Sequence, residues 1–406
     1  MSPPSPPFAD AISTRHLDAV ERPIAVARGM PNAAYTEMEY HRFERDHVLG
    51  KTWTALAFCA DHAREGAVAP VDFMGLPLLI VHRRDGELAV FHNVCSHRGR
   101  RLVDAPKQTN GLLVCPYHAW CYDLDGALKA TPHIGGVNRN HVDGFERARH
   151  SLKAVRSHCW MGVLFINLSG DAPEFEQHAA PLIARYARFI GARGEAAMTQ
   201  SKSDHGLSFE ADCNWKLAVE NYCEAYHLPW VHPSLNAYSP LERHYCMSIS
   251  DDFAGQGTNT FAPLLDGDSL PLFPEWPADQ REIAEYPTFY PNLLLGYQVN
   301  HFYALIIHPL SPERVREEAR FFYIGDGADA ERYDAGRKSN LEAWRTVFAE
   351  DIGAIEGMQL GRRSPGFQGG VFSPEMDAPT HHFHRWIARK YRAATEAETT
   401  ATEATA

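Results

Sequence analysis

Short runs of apolar residues, rather than long amphipathic stripes, set the pattern of the first part of the chain. Residues 35–50 look helical, and a β-rich stretch begins near Trp53. LPLLIVHR (76–83) and ELAVFHNV (87–94) predict two strands separated by a turn at Arg84-Asp85-Gly86. LLVCPYHAWCYDLDGAL carries a further hairpin turn at Asp125-Gly126, and GVLFIN (162–167) reads as a buried strand. Residues 52–167 are therefore expected to form an all-β unit. From 173 to 193 the pattern turns helical. TFYPNLLLGY (288–297), HFYALIIHP (301–309) and EEARFFYIG (317–325) predict consecutive strands of an antiparallel sheet, and 339–360 a strong amphipathic helix. The expected fold class is α+β, without internal repeats. It divides into an N-terminal arm and helix packing with the later domain (1–51), the β domain (52–167), a larger α+β domain (168–392) and a tail (393–406).

The ends change this picture little. MSPPSPPFAD has neither a basic stretch nor an apolar core and reads as a flexible arm, not a signal peptide. The polar, low-complexity ATEAETTATEATA is expected to be disordered. PLLIV (77–81) and YALII (303–307) are too short to span a bilayer, so a cytoplasmic protein with no membrane association is expected. Net charge is −12, from 39 basic and 51 acidic side chains, which opposes nucleic acid and anionic membranes as partners. Eight cysteines in such a chain are not a disulfide framework, so the question becomes which of them bind metal.

The densest chemical signal is FHNVCSHRGRRLVDAPKQTNGLLVCPYHAWCYDLDG. Cys95 and His97 stand as Cys-x-His, and Cys115 and His118 as Cys-x2-His, each at the tip of a strand-turn hairpin. Two thiolates and two imidazoles suit either zinc or a Rieske 2Fe–2S cluster. Zinc usually pairs Cys with Cys and His with His, whereas both halves here are mixed, with Gly99 and Pro116 shaping the tips. Cys121 and Cys159 fit no ligand spacing; with Cys59, Cys213, Cys223 and Cys246 they read as buried free thiols.

A second constellation lies in CNWKLAVENYCEAYHLPWVHPSL, where Glu224, His227 and His232 make Glu-x2-His-x4-His. No helix breaker lies between Lys216 and Tyr226, so Glu220, Glu224 and His227 are expected on one helical face, with Pro229 ending the helix and a short loop returning His232. In NLEAWRTVFAEDIGAIEGMQLG the apolar stripe is Leu341, Trp344, Phe348, Ile352 and Ile355. Asp351 sits in that stripe and Glu350 points away from it. A buried carboxylate needs a cation, either a metal or an arginine such as Arg345 or Arg362. Two His and one carboxylate make the facial triad of non-haem Fe(II) oxygenases.

Residues 52–167 resemble the Rieske domain. The respiratory type carries two further cysteines, where this chain has Arg100 and Tyr117; Ala119 and Trp120 replace its glycine and hydroxyl donor. Fewer hydrogen bonds to cluster sulfur mean a lower potential, as in oxygenases and ferredoxins. The whole order of motifs resembles the α subunits of Rieske non-haem iron oxygenases. That resemblance implies a helix-grip catalytic domain, its antiparallel sheet covering the Asp351 helix. It implies a cluster on Cys95, His97, Cys115 and His118, and a mononuclear Fe(II) on His227, His232 and Asp351. It also implies Glu224 as a carboxylate bridge to His118 of a neighbouring subunit, Asn221 as the iron-proximal Asn, a homotrimer, and a separate NAD(P)H-dependent flavin or iron–sulfur reductase. Most of the family has Asp at the bridge; Glu here, with YPNLLLGY and PGFQGGVFSPEMDAPTHHFHRWI, looks like the carnitine, choline and glycine betaine branch, whereas HLPWVH is similar to aromatic-ring dioxygenases. Oxygenation of a quaternary ammonium compound is the leading expectation, with Tyr222, Trp230, Tyr238, Phe261, Tyr297 and Tyr303 as cage candidates. Hydroxylation of an aromatic ring or acid is the alternative within the enzymes, and a zinc-stabilised binding protein the alternative outside them.

Overall fold

The computed structural model describes residues 14–201 and 206–405; the MSPPSPPFAD arm lies outside the described residues. The chain divides into a unit of residues 55–172 and a second built from the residues up to 54 together with those from 173 onward. The second unit begins with α1 (Thr14–Glu21), α2 (Ala33–Thr36) and α3 (Met38–Glu44), α3 running on into a π-helical turn at Arg45–Leu49. The helical pattern at 35–50 is thus broken at Glu37, which is extended (φ −99°, ψ 137°).

Seven strands form the main sheet of the 55–172 unit: β1 (Thr54–Phe58), β2 (Ala67–Phe73), β3 (Leu76–His82), β4 (Leu88–His92), β5 (Lys107–Gln108), β9 (Ala154–Trp160) and β10 (Val163–Asn167). Their order is β1-β10-β9-β4-β3-β2-β5. β6 (Leu112–Val114), β7 (Cys121–Asp123) and β8 (Leu128–Ala130) make a separate three-stranded sheet. One apolar core joins the two sheets through Val68, Leu79, Val81, Phe91, Leu113 and Leu128, with Cys95 and Cys115 inside it. The expected turns close as read: Gly86 N–H donates to Arg83 O, and Gly126 N–H to Asp123 O, both glycines having positive φ.

After α4 (Phe175–Tyr186) and α5 (Gly191–Ala197) come β11 (Met198–Gln200), β12 (Leu207–Ala211), α6 (Trp215–Cys223), α7 (Leu228–Val231) and α8 (Pro233–Tyr238). The antiparallel sheet is completed by β13 (His244–Ser250), β14 (Phe253–Thr258), β15 (Ala284–Phe289), β16 (Leu293–Gln298), β17 (His301–Ser311) and β18 (Arg314–Ile324). β13 to β18 follow one another in space, with β11 and β12 both on β18. TFYPNLLLGY is therefore not one strand but the hairpin between β15 and β16. Pro291, which has no N–H for a ladder, sits in its turn after a cis peptide bond.

The long helix α9 (Asp334–Arg362) packs on one face of the sheet, where Trp344 and Phe348 meet Tyr303 of β17 at ring-centroid distances of 4.6 and 5.5 Å. On the opposite face Tyr297 stacks on Tyr186 of α4 at 3.7 Å. Covering both faces explains why β16 and β17 read as nearly unbroken apolar runs. Gly296 has a specific reason: a Cβ there would fall 2.1 Å from the Tyr303 ring. The last helix, α10 (Ala378–Thr405), carries helical backbone into the polar tail expected to be disordered. Among the described residues no helix is long and apolar enough to cross a membrane.

α3, α6 and α10 meet at a buried ion pair. Lys216 Nζ lies 2.5 Å from Glu44 Oε1, and neither side chain is more than 1% exposed. Glu44 also accepts from Trp215 Nε1 at 2.7 Å and from the Tyr391 hydroxyl. Burial pushes the Lys216 ammonium below its ordinary pKa, against the opposing pull of Glu44. Lys216→Met should therefore strand a buried carboxylate and cost about 3–5 kcal/mol. A urea titration followed by tryptophan fluorescence should show the lowered midpoint.

Candidate functional site

In the 55–172 unit two loops share one backbone design. Cys95 N–H donates to Arg100 O and Cys95 O accepts from Gly99 N–H. In the same way Cys115 N–H donates to Trp120 O and Cys115 O accepts from Ala119 N–H. The fourth residue after each cysteine is left-handed: Gly99 at φ +71° and Ala119 at φ +56°. Asn93 steadies the first loop from within, accepting from Leu102 N–H and Val103 N–H and donating to Val103 O. The loops bring both cysteines into the core at 2% and 3% exposure, while His97 is exposed and His118 half-buried. The imidazoles lie with ring centroids 4.7 Å apart, and the Trp120 indole stacks on His97.

A tetrahedral zinc with bonds of about 2.0–2.3 Å would draw its donor atoms to within about 4 Å of one another. Among the described residues one group of three or more His, Cys, Asp or Glu has donor atoms within 4.8 Å of each other, and these four are not in it. Two thiols inside and two imidazoles outside suit a two-iron cluster held by Cys on one iron and His on the other. Trp120 supplies no hydroxyl to the cluster loops, but another residue does. The buried Tyr122 hydroxyl lies 3.2 Å from Cys95 Sγ and accepts from Ser96 N–H. Its place two residues beyond Trp120, facing inward on β7, was the signal available in the sequence.

The tight group is His227, His232 and Asp351. His232 Nε2 lies 2.9 Å and His227 Nε2 3.6 Å from Asp351 Oδ1, which also accepts from Asn221 Nδ2 at 2.7 Å. Each imidazole has a carboxylate on its other nitrogen: Glu224 Oε1 is 2.6 Å from His227 Nδ1, and Glu350 Oε2 is 2.8 Å from His232 Nδ1. Both Nε2 atoms are thereby turned toward Asp351. Burial lowers the pKa of His232, but Asp351 and Glu350 together outweigh it and raise the group. A metal there must displace that proton. The arginines considered as partners for Asp351 are engaged elsewhere, Arg345 with Glu342 and Arg362 with Glu220.

Three expectations are corrected. α6 ends at Cys223 and Glu224 is extended (φ −126°, ψ 162°), so Glu224 and His227 do not share a helical face. Instead the Glu224 carboxylate caps the following turn, accepting from Tyr226 and His227 N–H as well as from the imidazole. Its second oxygen is thus already a hydrogen-bond acceptor. Glu220 looks into a buried set of Tyr35, Arg362 and His384. Burial would raise its carboxyl, but these partners hold it down at about 2. Pro229 lies in the first turn of α7, where its missing N–H costs nothing. Glu350 does not point away from the site but reaches His232.

The cavity at the triad is lined by Tyr222, Tyr286, Tyr303, Trp344 and Phe348, with His244, Gln256 and Val347. Tyr222 donates its hydroxyl to Leu295 O at 2.7 Å and lies 2.9 Å from the Tyr303 hydroxyl. Of the other cage candidates, Trp230 is 73% exposed, Tyr297 is stacked away on Tyr186, and Tyr238 and Phe261 pack on each other. Trp344 and Phe348 had read only as part of an apolar stripe, because periodicity shows that a side chain faces inward and not what it faces, and Tyr286 was not singled out.

Residues 52–141 match the Rieske [2Fe-2S] domain family, and residues 198–393 the family described as ring hydroxylating alpha subunit (catalytic domain). The chain is 24% identical over 352 residues to a carnitine monooxygenase oxygenase subunit of Acinetobacter baumannii, covering 85% of this chain and 88% of that protein. A glycine betaine monooxygenase oxygenase subunit of Pseudomonas aeruginosa is 27% identical over 394 residues, covering 89% and 88%. The fold matches a quaternary ammonium Rieske monooxygenase crystallised with L-carnitine (TM-score 0.73, 21% identity, 92% of this chain and 98% of that one). It also matches naphthalene 1,2-dioxygenase from Rhodococcus sp. bound to indole (TM-score 0.71, 19% identity, 93% and 98%).

Glu350 gives a test of the triad that leaves every donor atom in place. Glu350→Ala should weaken binding of a divalent metal at His232 by about 10–100-fold. Fe(II) or Co(II) titration of the metal-stripped protein should read this directly.

Proposed function

Since this chain belongs to the Rieske non-haem iron oxygenase α subunits and so takes a 2Fe–2S cluster and a mononuclear iron, we propose that Cys95, His97, Cys115 and His118 hold the cluster and His227, His232 and Asp351 the iron. Mixed Cys/His loops of one design support the first set, and three converging donors with carboxylate-oriented imidazoles the second. When bound, the cluster supplies electrons and the iron the chemistry of O₂ reduction. The residues of the chain do the rest. Glu224 and Glu350 fix the imidazole rings, Asn221 steers the Asp351 carboxylate, and the aromatic wall keeps water from the substrate.

We assign the substrate to the quaternary ammonium compounds. The observation that carries this is the lining of the cavity: five aromatic rings beside the Asp351 and Glu224 carboxylates, with no Lys or Arg among the lining residues. Such a wall stabilises a cation. A neutral aromatic ring is the second reading, favoured by the same apolar surface. As an oxygenase subunit the chain works with a separate reductase; we propose that this reductase uses NAD(P)H and that the subunit assembles as a homotrimer in the cytoplasm. Eight free cysteines suit a reducing compartment.

The purified protein, paired with a surrogate flavin reductase and NADH, should be red-brown and should consume NADH and O₂ in step with product formed from choline-, betaine- or carnitine-like quaternary ammonium compounds. Product from neutral aromatics alone would transfer the assignment to the second reading. Colourless protein holding zinc and no acid-labile sulfide would end both.

Glu224 is the residue we assign to electron delivery between subunits. It is hydrogen-bonded to His227 and only 14% exposed; Oε2 is taken by the Tyr226 and His227 N–H groups, and Oε1, which accepts from the imidazole, keeps a lone pair for a donor from a neighbouring chain. Glu224→Gln should load both metals and still accept electrons at the cluster. In single-turnover mixing with O₂ and substrate, however, its reduced cluster should reoxidise more than tenfold more slowly. A wild-type rate would leave Glu224 only the task of orienting His227.

A further inference from the structure

Six cysteines take no part in the proposed metal sites, and they are not equivalent. Cys213 and Cys223 are buried, and Cys223 Sγ lies 3.6 Å from the Thr288 hydroxyl. Cys121 is half-buried and bonded to Ala119 O. Cys246 is exposed, near the carbonyls of Glu375 and Met376. Cys59 and Cys159, read from the sequence as buried thiols, stand apart: Cys159 is exposed, Cys59 is half-buried, and their sulfurs are 3.0 Å from one another.

The strands put them there. Cys59 follows directly on β1 and is anchored by its N–H to Gly162 O at 2.8 Å. Cys159 lies on β9, opposite Leu164 of β10, one residue before the strand end at Trp160. In the sheet β10 lies between β1 and β9, so the two sulfurs meet across the end of β10 beside the β9–β10 turn. Closing the pair requires the sulfurs to approach by about 1 Å, a bonded S–S being ~2.05 Å. The loop closed would span the whole 55–172 unit except its outermost residues.

We propose that Cys59 and Cys159 form a peroxide-sensitive thiol pair that closes to a reversible disulfide and staples the cluster-bearing unit across its β1–β10–β9 edge. The accessible Cys159 thiolate attacks hydrogen peroxide; the O–O bond breaks, hydroxide leaves, and Cys159 becomes a sulfenic acid. The Cys59 sulfur then attacks the Cys159 sulfur. The S–O bond breaks and the oxygen leaves as water with the proton from Cys59. In sum two thiols and one peroxide give one disulfide and two waters, the thiols losing two electrons and the peroxide gaining them. The Cys59 thiol donates to Cys159, which lowers the Cys159 pKa and favours the attacking thiolate. A dithiol reductant reverses the closure.

The test treats the cluster-loaded full-length protein with a small molar excess of hydrogen peroxide, alkylates the remaining thiols and maps the peptides without reduction. The expected product is a chain two hydrogens lighter, with the Cys59 and Cys159 peptides joined and Cys246 still alkylated. Its cluster-bearing unit should melt about 5 °C higher or more, because a crosslink over so long a loop restricts the unfolded chain. Dithiothreitol should undo both changes. Cys59→Ser and Cys159→Ser, neither in a proposed metal site, should lose the crosslink and the shift. Sulfinic acid on Cys159 without a crosslink, or alkylation of both thiols after peroxide, would overturn the proposal; mapping of the wild-type chain reads either result even if a variant fails to fold.

Discussion

The proposed metal triad depends on one arrangement, a carboxylate hydrogen-bonded to Nδ1 of each imidazole. An imidazole free to turn presents either nitrogen. Held at Nδ1, it presents Nε2 in one direction, and here both directions end at Asp351. Around this the local chain makes sense. α6 must stop at Cys223 so that Glu224 can be extended and turn back over the following loop. α9 must place two successive acidic residues so that one meets a ring from behind and the other faces the shared point. The cluster loops solve the related problem differently. There the backbone sets the geometry by repeating one turn twice, and the buried core holds the thiols while leaving the imidazoles toward water.

Both proposed donor sets are written in the sequence as spacings. Cys-x-His, Cys-x2-His and the His pair survive any reading of the local backbone, since a ligand motif is a statement about residue types at short separations. What was not legible depended on where a helix ends. Nothing between Lys216 and Tyr226 breaks a helix by propensity, yet a carboxylate capping Tyr226 and His227 N–H ended it at Cys223. Glu350 was misplaced for a related reason. A helical wheel separates Glu350 from Asp351 by a third of a turn, but a long side chain at the edge of a buried stripe can still reach inward.

The fold was legible to a similar depth. Alternation and turn chemistry located the hairpins of the β unit, and the 339–360 stripe located α9. The β15–β16 hairpin was hidden because both faces of its sheet are covered, so no change of polarity marked the turn, and only Pro291 did. The cavity walls were hidden for the same reason. A tyrosine or tryptophan facing a substrate and one facing another side chain leave the same mark on the sequence, and only the pairing of Tyr222, Tyr303 and Trp344 around the triad tells them apart.

The contact between Gly296 and Tyr303 bears on how such a cavity can diversify. The Tyr303 ring fills the space that a side chain at 296 would need, its hydroxyl meets that of Tyr222, and Trp344 and Phe348 close over it. Each wall on the sheet side is locked to another, so enlarging or reshaping that side demands several simultaneous changes. Val347 stands on a helix whose backbone bonds are satisfied within itself, outside that interlocked set of rings, and it can be exchanged alone. Drift in substrate preference among relatives of this chain would therefore run through position 347 of α9, with the strands serving as the fixed mould.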